Sequence, residues 1–403
     1  MKQTTTIYNR RKSMYRIGKE EIAEITKVIE SRSLFKINDD MKESEQVETK
    51  LRAVIGTQYP IFLSSGHAAL VSALVALGIG PGDEVIVPAY TYIATAMAVV
   101  AAGAIPVIAE SDDTLTLCPI DTEKKITKHT KAIIPVHIQG FPCHMDAIMA
   151  LARKYNLAVV EDACQADGGS FKGTRLGTIG DAGAFSFNYF KIVSSGEGGA
   201  FLTNRKELFE RALIYQDSSA VAFFGNQMDN FTTQPFCGNE YRSNELCAAV
   251  MNVQLDRLDG ILADLRRNKA YVMDAMKDVA TFIPSNDIAG DCGTMLAFKF
   301  DSEELARKFA AAEGIDGTLP IDTGKHIYKH WTPIMEKRGA YHPLMDPFKM
   351  EANKDIIPDY REDMCQATLE RLSRVVYVPV DPDDTTEQLD AKISVYKKAF
   401  ASL

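Results

Sequence analysis

Residues 64–110 read SSGHAALVSALVALGIGPGDEVIVPAYTYIATAMAVVAAGAIPVIAE, and the punctuation of this stretch decides the fold. After Ser64-Ser65-Gly66 comes an apolar run of helical length. A turn over Gly78–Gly82 follows, then a short strand over 84–87, a helix over 91–103 and a second strand over 105–109. Short strands that are apolar on both faces and alternate with helices belong to a largely parallel, buried sheet. The rhythm continues downstream with a strand in KAIIPVHI (131–138), a helix over 145–155, and strands in LAVVEDA (157–163), DAGAFSF (181–187) and GGAFLTN (198–204). Upstream, residues 19–31 place Ile22, Ile25, Val28 and Ile29 at helical spacing behind acidic first-turn residues, which predicts a helix.

At 403 residues the chain exceeds what one compact core usually supports, so two domains are expected. From about 244 to 280 the pattern is long and helical. Beyond it GTMLAFKF, SEELARKFAAAEG, RVVYVPV and a helix over 386–400 indicate a smaller α+β unit. The predicted fold class is α/β, with a large domain over 1–260 and a small C-terminal domain over 261–403. Residues 315–360 read as a long structured excursion, and loops of that length tend to be functional.

Apolar residues make up 46% and charged residues 25%, ordinary for a globular protein. The formal charge of -9, with no basic run longer than Arg10–Lys12, argues against nucleic acid or an anionic membrane as partner. Seven scattered cysteines form no Cys-x-x-Cys pair and suggest reduced thiols. The first residues lack an apolar signal core, and no segment reaches the roughly 18 apolar residues of a membrane helix. A cytoplasmic protein is expected. His137 and His144 lack partners at ligand spacing, so no metal is expected. Gly-Glu-Gly-Gly at 196–199 leads into a strand and lacks the dinucleotide-binding spacing.

The chemistry starts at Lys191, in FSFNYFKIVSSGEGGAFLTN (185–204), a lysine walled in by Phe190 and Ile192. A confined lysine amine suits Schiff-base chemistry. One cofactor that uses it, pyridoxal phosphate, also needs an acid for its ring nitrogen, an aromatic platform and a phosphate cradle. Asp162 ends an apolar strand, where ligands of open α/β sheets sit, and is the candidate acid. Gln165 is placed to meet the ring hydroxyl. Ser65, Gly66 and His67 open a helix whose free amides form the candidate cradle, with the Ser186 hydroxyl nearby. Of Tyr90 and Tyr92 only one can face the cofactor, and Tyr92 is preferred.

SSGHAAL, GDEVIVPAYTYIAT, VVEDACQADGGSFKGTRLGTIGDAGAFSF, FNYFKIVSSGEGGA and EYRSNELCAAVMNVQL occur in this order. Together they resemble the DegT/DnrJ/StrS sugar aminotransferases, which have the type I aminotransferase fold; the resemblance is strong over about residues 15–260. It implies pyridoxal 5'-phosphate as cofactor, Lys191 as Schiff-base lysine and Asp162 as ring partner. Tyr92 would stack on the ring, and Ser186 and the Gly66-His67 amides would hold the phosphate. It also implies a homodimer with shared active sites, an amino-acid donor (glutamate or glutamine) and a keto- or aldehydo-sugar acceptor. Related dehydratases lack the lysine, so its retention favours amino transfer.

The chain departs from the family pattern at three places. His67 stands where Thr is usual. Glu240 stands where family members carry an Asn that reaches the partner's phosphate, so either Asn239 takes that role or Arg242 supplies the charge. Tyr215–Val221 replaces a usual Arg-x-His-Gly. The acceptor is left open among nucleotide-linked keto-sugars, cyclitol ketones and the sugar acid that yields 8-amino-3,8-dideoxy-manno-octulosonate. Lys325, His326, His330 and Trp331, in a basic-aromatic cluster, are the candidate acceptor-binding residues. A pyridoxal phosphate-binding regulator without turnover is the alternative from another class.

Overall fold

The computed structural model describes residues 16–37, 42–223, 228 and 230–403, and the Arg10–Lys12 run lies outside them. Two helices, α1 (Lys19–Ser31) and α2 (Glu43–Ile55), precede β1 (Tyr59–Leu63). The chain continues through α3 (Gly66–Ala76), β2 (Glu84–Pro88), α4 (Ala94–Ala101), β3 (Ile105–Ala109), α5 (Pro119–Lys125), β4 (Thr130–Ile133), α6 (Met145–Tyr155) and β5 (Ala158–Asp162). A hairpin of β6 (Ser170–Phe171) and β7 (Thr174–Arg175) comes before β8 (Ala182–Ser186), β9 (Gly199–Thr203) and α7 (Lys206–Gln216).

These strands make a seven-stranded sheet in the order β1-β9-β8-β5-β4-β2-β3. β9 alone runs against its neighbours. Alternate side chains feed two cores. Phe62, Ile86 and Val159 join Leu51 of α2 and Ile148 of α6 on one face. Ile61, Val87 and Val160 join Leu70 of α3, Val99 of α4 and Ala212 of α7 on the other. The molecule is therefore α/β, with a mostly parallel sheet buried between helices.

The long α8 (Glu245–Met276) is capped by the Asn244 side chain, which accepts from Cys247 N–H at 3.1 Å. It runs unbroken through residue 260 and carries the chain to a second, antiparallel sheet of β10 (Thr281–Phe282), β11 (Met295–Lys299) and β12 (Val375–Pro379). Around that sheet lie α9 (Glu303–Ala310), the single turn α10 (Thr332–Met335), α11 (Gln366–Ser373) and α12 (Thr386–Ala401).

Three elements differ from expectation, each for a local reason. β4 stops at Ile133 because Pro135 interrupts the ladder, leaving Val136 and Asp162 as an isolated bridge. α4 begins at Ala94, not residue 91, because the preceding residues are held by the 315–360 excursion. Thr91 N–H donates to His326 O at 2.9 Å, Ile93 N–H to Lys325 O at 3.1 Å and Tyr328 N–H to Ala89 O at 3.0 Å. α1 forms where predicted, but only Val28 of its apolar set is fully buried; Ile22 and Ile29 are 64% and 54% exposed. The buried Glu21 anchors it to α8 instead, bonding Arg257 at 2.6 Å and Gln254 at 2.8 Å.

Candidate active site

The parallel strands β1, β2, β5 and β8 deliver Ser65, Tyr92, Asp162 and Ser186 toward the carboxyl edge of the sheet, where open α/β folds bind ligands. In the ladder Gly199 pairs with Leu63 on one side and Ser186 on the other. A Cβ at Gly199 would lie 2.3 Å from Ser65 C, so only glycine admits the start of α3 this close. A Cβ at Gly66 would lie 2.7 Å from Cys164 Sγ and 2.8 Å from Ser186 Cβ. The α3 N-terminus is thus wedged between β8 and the turn after β5. Ser65 Oγ caps it by accepting from Ala68 N–H at 3.1 Å, and its first free amides lie in a cradle suited to an anion.

Asp162 is buried, its Oδ2 accepting from Thr95 Oγ1 at 2.7 Å and its Oδ1 from Cys164 N–H at 3.1 Å. A carboxylate has about four acceptor sites, so with these donors in place it retains capacity for a cation. Thr95 in turn lies 2.7 Å from Thr91 Oγ1 and 3.1 Å from Tyr92 O, tying the acid to the tyrosine loop. The His67 ring faces this region, with Nδ1 3.3 Å from Ala94 O. Burial lowers its pKa, outweighing the hydrogen bond to Ala94 O and the attraction of Asp162, and so favours the neutral imidazole. Lys191 lies beyond the end of β8, not on it, in the bends before β9, half-buried, with its N–H on Asn188 O at 3.0 Å.

Tyr90 is buried in the core, whereas Tyr92 is 42% exposed and forms the rim. Lys325 Nζ lies 5.4 Å from the Tyr92 ring centroid and 5.9 Å from that of Phe190, the residue before Lys191. The His326 ring lies 5.6 Å from that of Tyr92. The excursion thereby puts a cation and an imidazole beside the aromatic rim. Trp331 and His330 do not join them. Trp331 is 0% exposed and its indole N–H donates to Lys325 O at 3.1 Å, so it shapes the excursion from inside. His330 is exposed, on the 3-10 turn Tyr328–His330 that follows the rim residues. Gln165 Oε1 accepts from Gln139 N–H at 3.1 Å.

Residues 239–242 run against the cradle's own chain. Ser64 N–H donates to Tyr241 O at 2.8 Å, and Leu63 bridges Arg242. The guanidinium of Arg242 meets Glu240 at 2.7 Å, donates to Asp217 O at 3.1 Å and lies 5.3 Å from the Phe35 ring. The Glu240 charge, which would repel a phosphate, is compensated within the chain. Asn239 is exposed, with Nδ2 on Tyr215 Oη at 2.6 Å.

Thr91, Thr95 and Cys164 join the site through these bonds and carry no motif of their own in the sequence. Thr95 carries a faint signal, a hydroxyl in the first turn of a helix behind the tyrosine loop; its bond to Asp162 depends on tertiary approach.

The fold and the comparisons with known proteins place this chain among the aminotransferases. The chain belongs to the DegT/DnrJ/EryC1/StrS aminotransferase family, whose model matches residues 15–317. It is 42% identical over 378 residues to the spore coat polysaccharide biosynthesis protein SpsC of Bacillus subtilis (strain 168), covering 89% of this chain and 95% of that one. It is 38% identical over 305 residues to the dTDP-3-amino-3,6-dideoxy-alpha-D-galactopyranose transaminase of Aneurinibacillus thermoaerophilus, covering 73% and 82%. The crystal structure of S. venezuelae DesV in complex with a ketimine intermediate aligns with a TM-score of 0.75 at 28% identity, over 94% of each chain. Among the described residues no helix is long and apolar enough to cross a membrane.

Proposed function

We propose that the chain is a pyridoxal 5'-phosphate-dependent sugar aminotransferase that moves an amino group from glutamate or glutamine to a keto- or aldehydo-sugar. The observation that carries this is the buried Asp162 carboxylate, with its remaining capacity, beside the glycine-walled cradle of α3. When bound, the cofactor supplies an aldehyde for the amino group and a cationic ring that draws electron density from the adjacent carbon. Gly66, His67, Ser65 and Ser186 would hold the phosphate, and Asp162 would keep the ring nitrogen protonated. Tyr92 would stack on the ring, and Gln165 would meet the ring hydroxyl. The amine of Lys191 would hold the cofactor aldehyde and, when free, would serve as the site's proton carrier.

Lys325 and His326, beside Tyr92 and Phe190, favour an acceptor with an anionic group, and a nucleotide-linked sugar is the first class to test. The relative whose name specifies a dTDP-linked product supports that choice. The chain is proposed to work in the cytoplasm as a homodimer, with Asn239 or Arg242 reaching the partner's site.

The test is the absorption spectrum of purified protein before and after excess glutamate. A yellow band that bleaches with release of 2-oxoglutarate is expected, and Lys191→Ala should lack the band while keeping the wild-type circular dichroism. A band that persists with glutamate and with glutamine would favour a binding regulator. No band would sink the cofactor assignment.

A further inference from the structure

The Gln165 amide has a settled orientation. Gln139 N–H lies 3.1 Å from one end of it, and an N–H donor can meet only the amide oxygen, so that end is Oε1. The NH2 end is turned away from Gln139, with two donors to offer. Gln139 itself sits in the left-handed region, at φ +52° and ψ +23°, a conformation that a non-glycine residue keeps only where its surroundings fix it.

The fixing comes from residues 291–294, between β10 and β11. Thr294 is buried, and its hydroxyl donates to Gln139 O at 2.5 Å; Cys292 N–H donates to Gly140 O at 3.1 Å. Gly140 sits at φ +82°, and a Cβ there would stand 2.6 Å from Cys292 Cβ, so the turn and this segment are in direct contact. The segment is anchored in its turn. Asp291 pairs with Lys269 of α8 at 2.7 Å, both side chains buried, and accepts from Gly293 N–H at 2.6 Å. Val380 N–H, just past β12, donates to Thr294 O at 3.0 Å. A series of bonds thus runs from the second sheet and α8 through Thr294 and Gln139 to an amide three residues beyond Asp162.

We propose that Thr294 is a positioning residue for the cofactor pocket: its hydroxyl holds the Gln139 turn, and Gln139 N–H holds the Gln165 amide with its NH2 end toward the ring hydroxyl. The inference rests on Gln165 meeting that hydroxyl, and it adds the polarity of the contact and the residue that fixes it. A donor at that place favours the ionised hydroxyl oxygen over the neutral group. It also competes for the lone pairs with which that oxygen holds the neighbouring proton of the yellow, lysine-bound cofactor. The yellow form should therefore lose this proton at lower pH when the NH2 end is in place.

The experiment titrates the yellow band of protein loaded with pyridoxal 5'-phosphate against pH. Thr294→Val keeps the shape and removes the donor, and should raise the midpoint by about half a unit, a threefold gain in proton affinity. Thr294→Ser keeps the hydroxyl and should titrate as wild type. Gln165→Leu should raise the midpoint by about one unit, and adding Thr294→Val to it should shift nothing further, because Thr294 acts through Gln165. A merely structural Thr294 would cost thermal stability in the Val variant and leave the midpoint in place. That result, a Ser variant that shifts as Val does, or additive shifts in the double variant would overturn the inference. An unmoved midpoint in Gln165→Leu would remove the contact with the ring hydroxyl, and this inference with it, while the cofactor assignment stands. No band in the wild type would remove the cofactor assignment itself. Should Thr294→Val fail to fold, nitrogen-15 spectra of glutamine-labelled wild type decide. The side-chain NH2 signals missing from Gln165→Leu should shift on adding pyridoxal 5'-phosphate, and signals that stay in place would overturn the proposed polarity.

Discussion

At Gly66 one added methyl group would stand 2.7 Å from Cys164 Sγ and 2.8 Å from Ser186 Cβ, closer than packed atoms approach. Gly66→Ala should therefore push α3 away from β8, at a cost of about 1–3 kcal/mol in stability. The displaced amides should also release the cofactor on dialysis, whereas wild type retains it. Urea unfolding and residual absorbance check the two effects, and a variant as stable and as yellow as wild type would show that the wedge is slack. The same residue shows what a sequence can reveal. Gly66, Asp162 and Lys191 stand out because each violates a local expectation: a glycine at a helix start, an acid closing an apolar strand, a lysine among aromatics. Thr95 and Asp167 violate nothing locally. A threonine in a helix and an aspartate before two glycines are ordinary, and only the tertiary approach of Asp162 to one, and the lack of any donor among the described residues on the other, set them apart.

Strand β5 ends in two adjacent acids that the pleat sends to opposite sides. Asp162 goes to the site. Glu161 goes inward, where it accepts from Gly177 N–H at 2.9 Å, Ile179 N–H at 2.6 Å and Gly180 N–H at 2.7 Å, and lies 3.1 Å from His137 Nε2. It pins the loop leading into β8, so Glu161→Ala should lose about 3–5 kcal/mol, the usual penalty for orphaning buried partners. Chemical denaturation measures it, and a loss below about 1 kcal/mol would mean water replaces the carboxylate. Helix α7 ends in another buried acid, Asp217, whose Oδ2 accepts from Val221 N–H at 2.8 Å. Burial raises its carboxyl from 3.8 to about 6. Between those values the folded chain holds a proton that the unfolded chain has lost, so this contribution is full below about pH 4 and vanishes as pH rises through 6. Wild type should lose up to about 3 kcal/mol across that window, and Asp217→Asn should not. Equal slopes in denaturation at pH 4, 5 and 6 would refute the assignment. At this scale apolar rhythm was legible over most of the sheet, and its errors came from contacts between distant segments. The excursion delays α4, and Glu21 turns α1 so that Ile22 and Ile29 face outward.

For the whole molecule, the proposed homodimer turns on which chain completes which site. The 239–242 arm touches its own Ser64, yet Leu34 and Phe35 beside it are 46% and 43% exposed, as expected of a surface that a second copy would cover. Phe35→Asp should weaken a homodimer at least about tenfold in sedimentation equilibrium, since it puts an unmatched charge into an apolar contact. An unchanged dimer would place the interface elsewhere. Complementation then tells a borrowed residue from a local one. Lys191→Ala and Arg242→Glu proteins should each be nearly inactive alone. In a mixed dimer with sites built from both chains, one site carries both changes and the other carries neither. After subunit exchange half the dimers are mixed, and one site in each is intact, so activity should return to about a quarter of wild type. If Arg242 serves only the site of its own chain, every site in the mixture holds one lesion and no activity returns. The second outcome would leave any dimer without a shared site and confine the role of Arg242 to holding Glu240 and the Phe35 ring beside its own cradle.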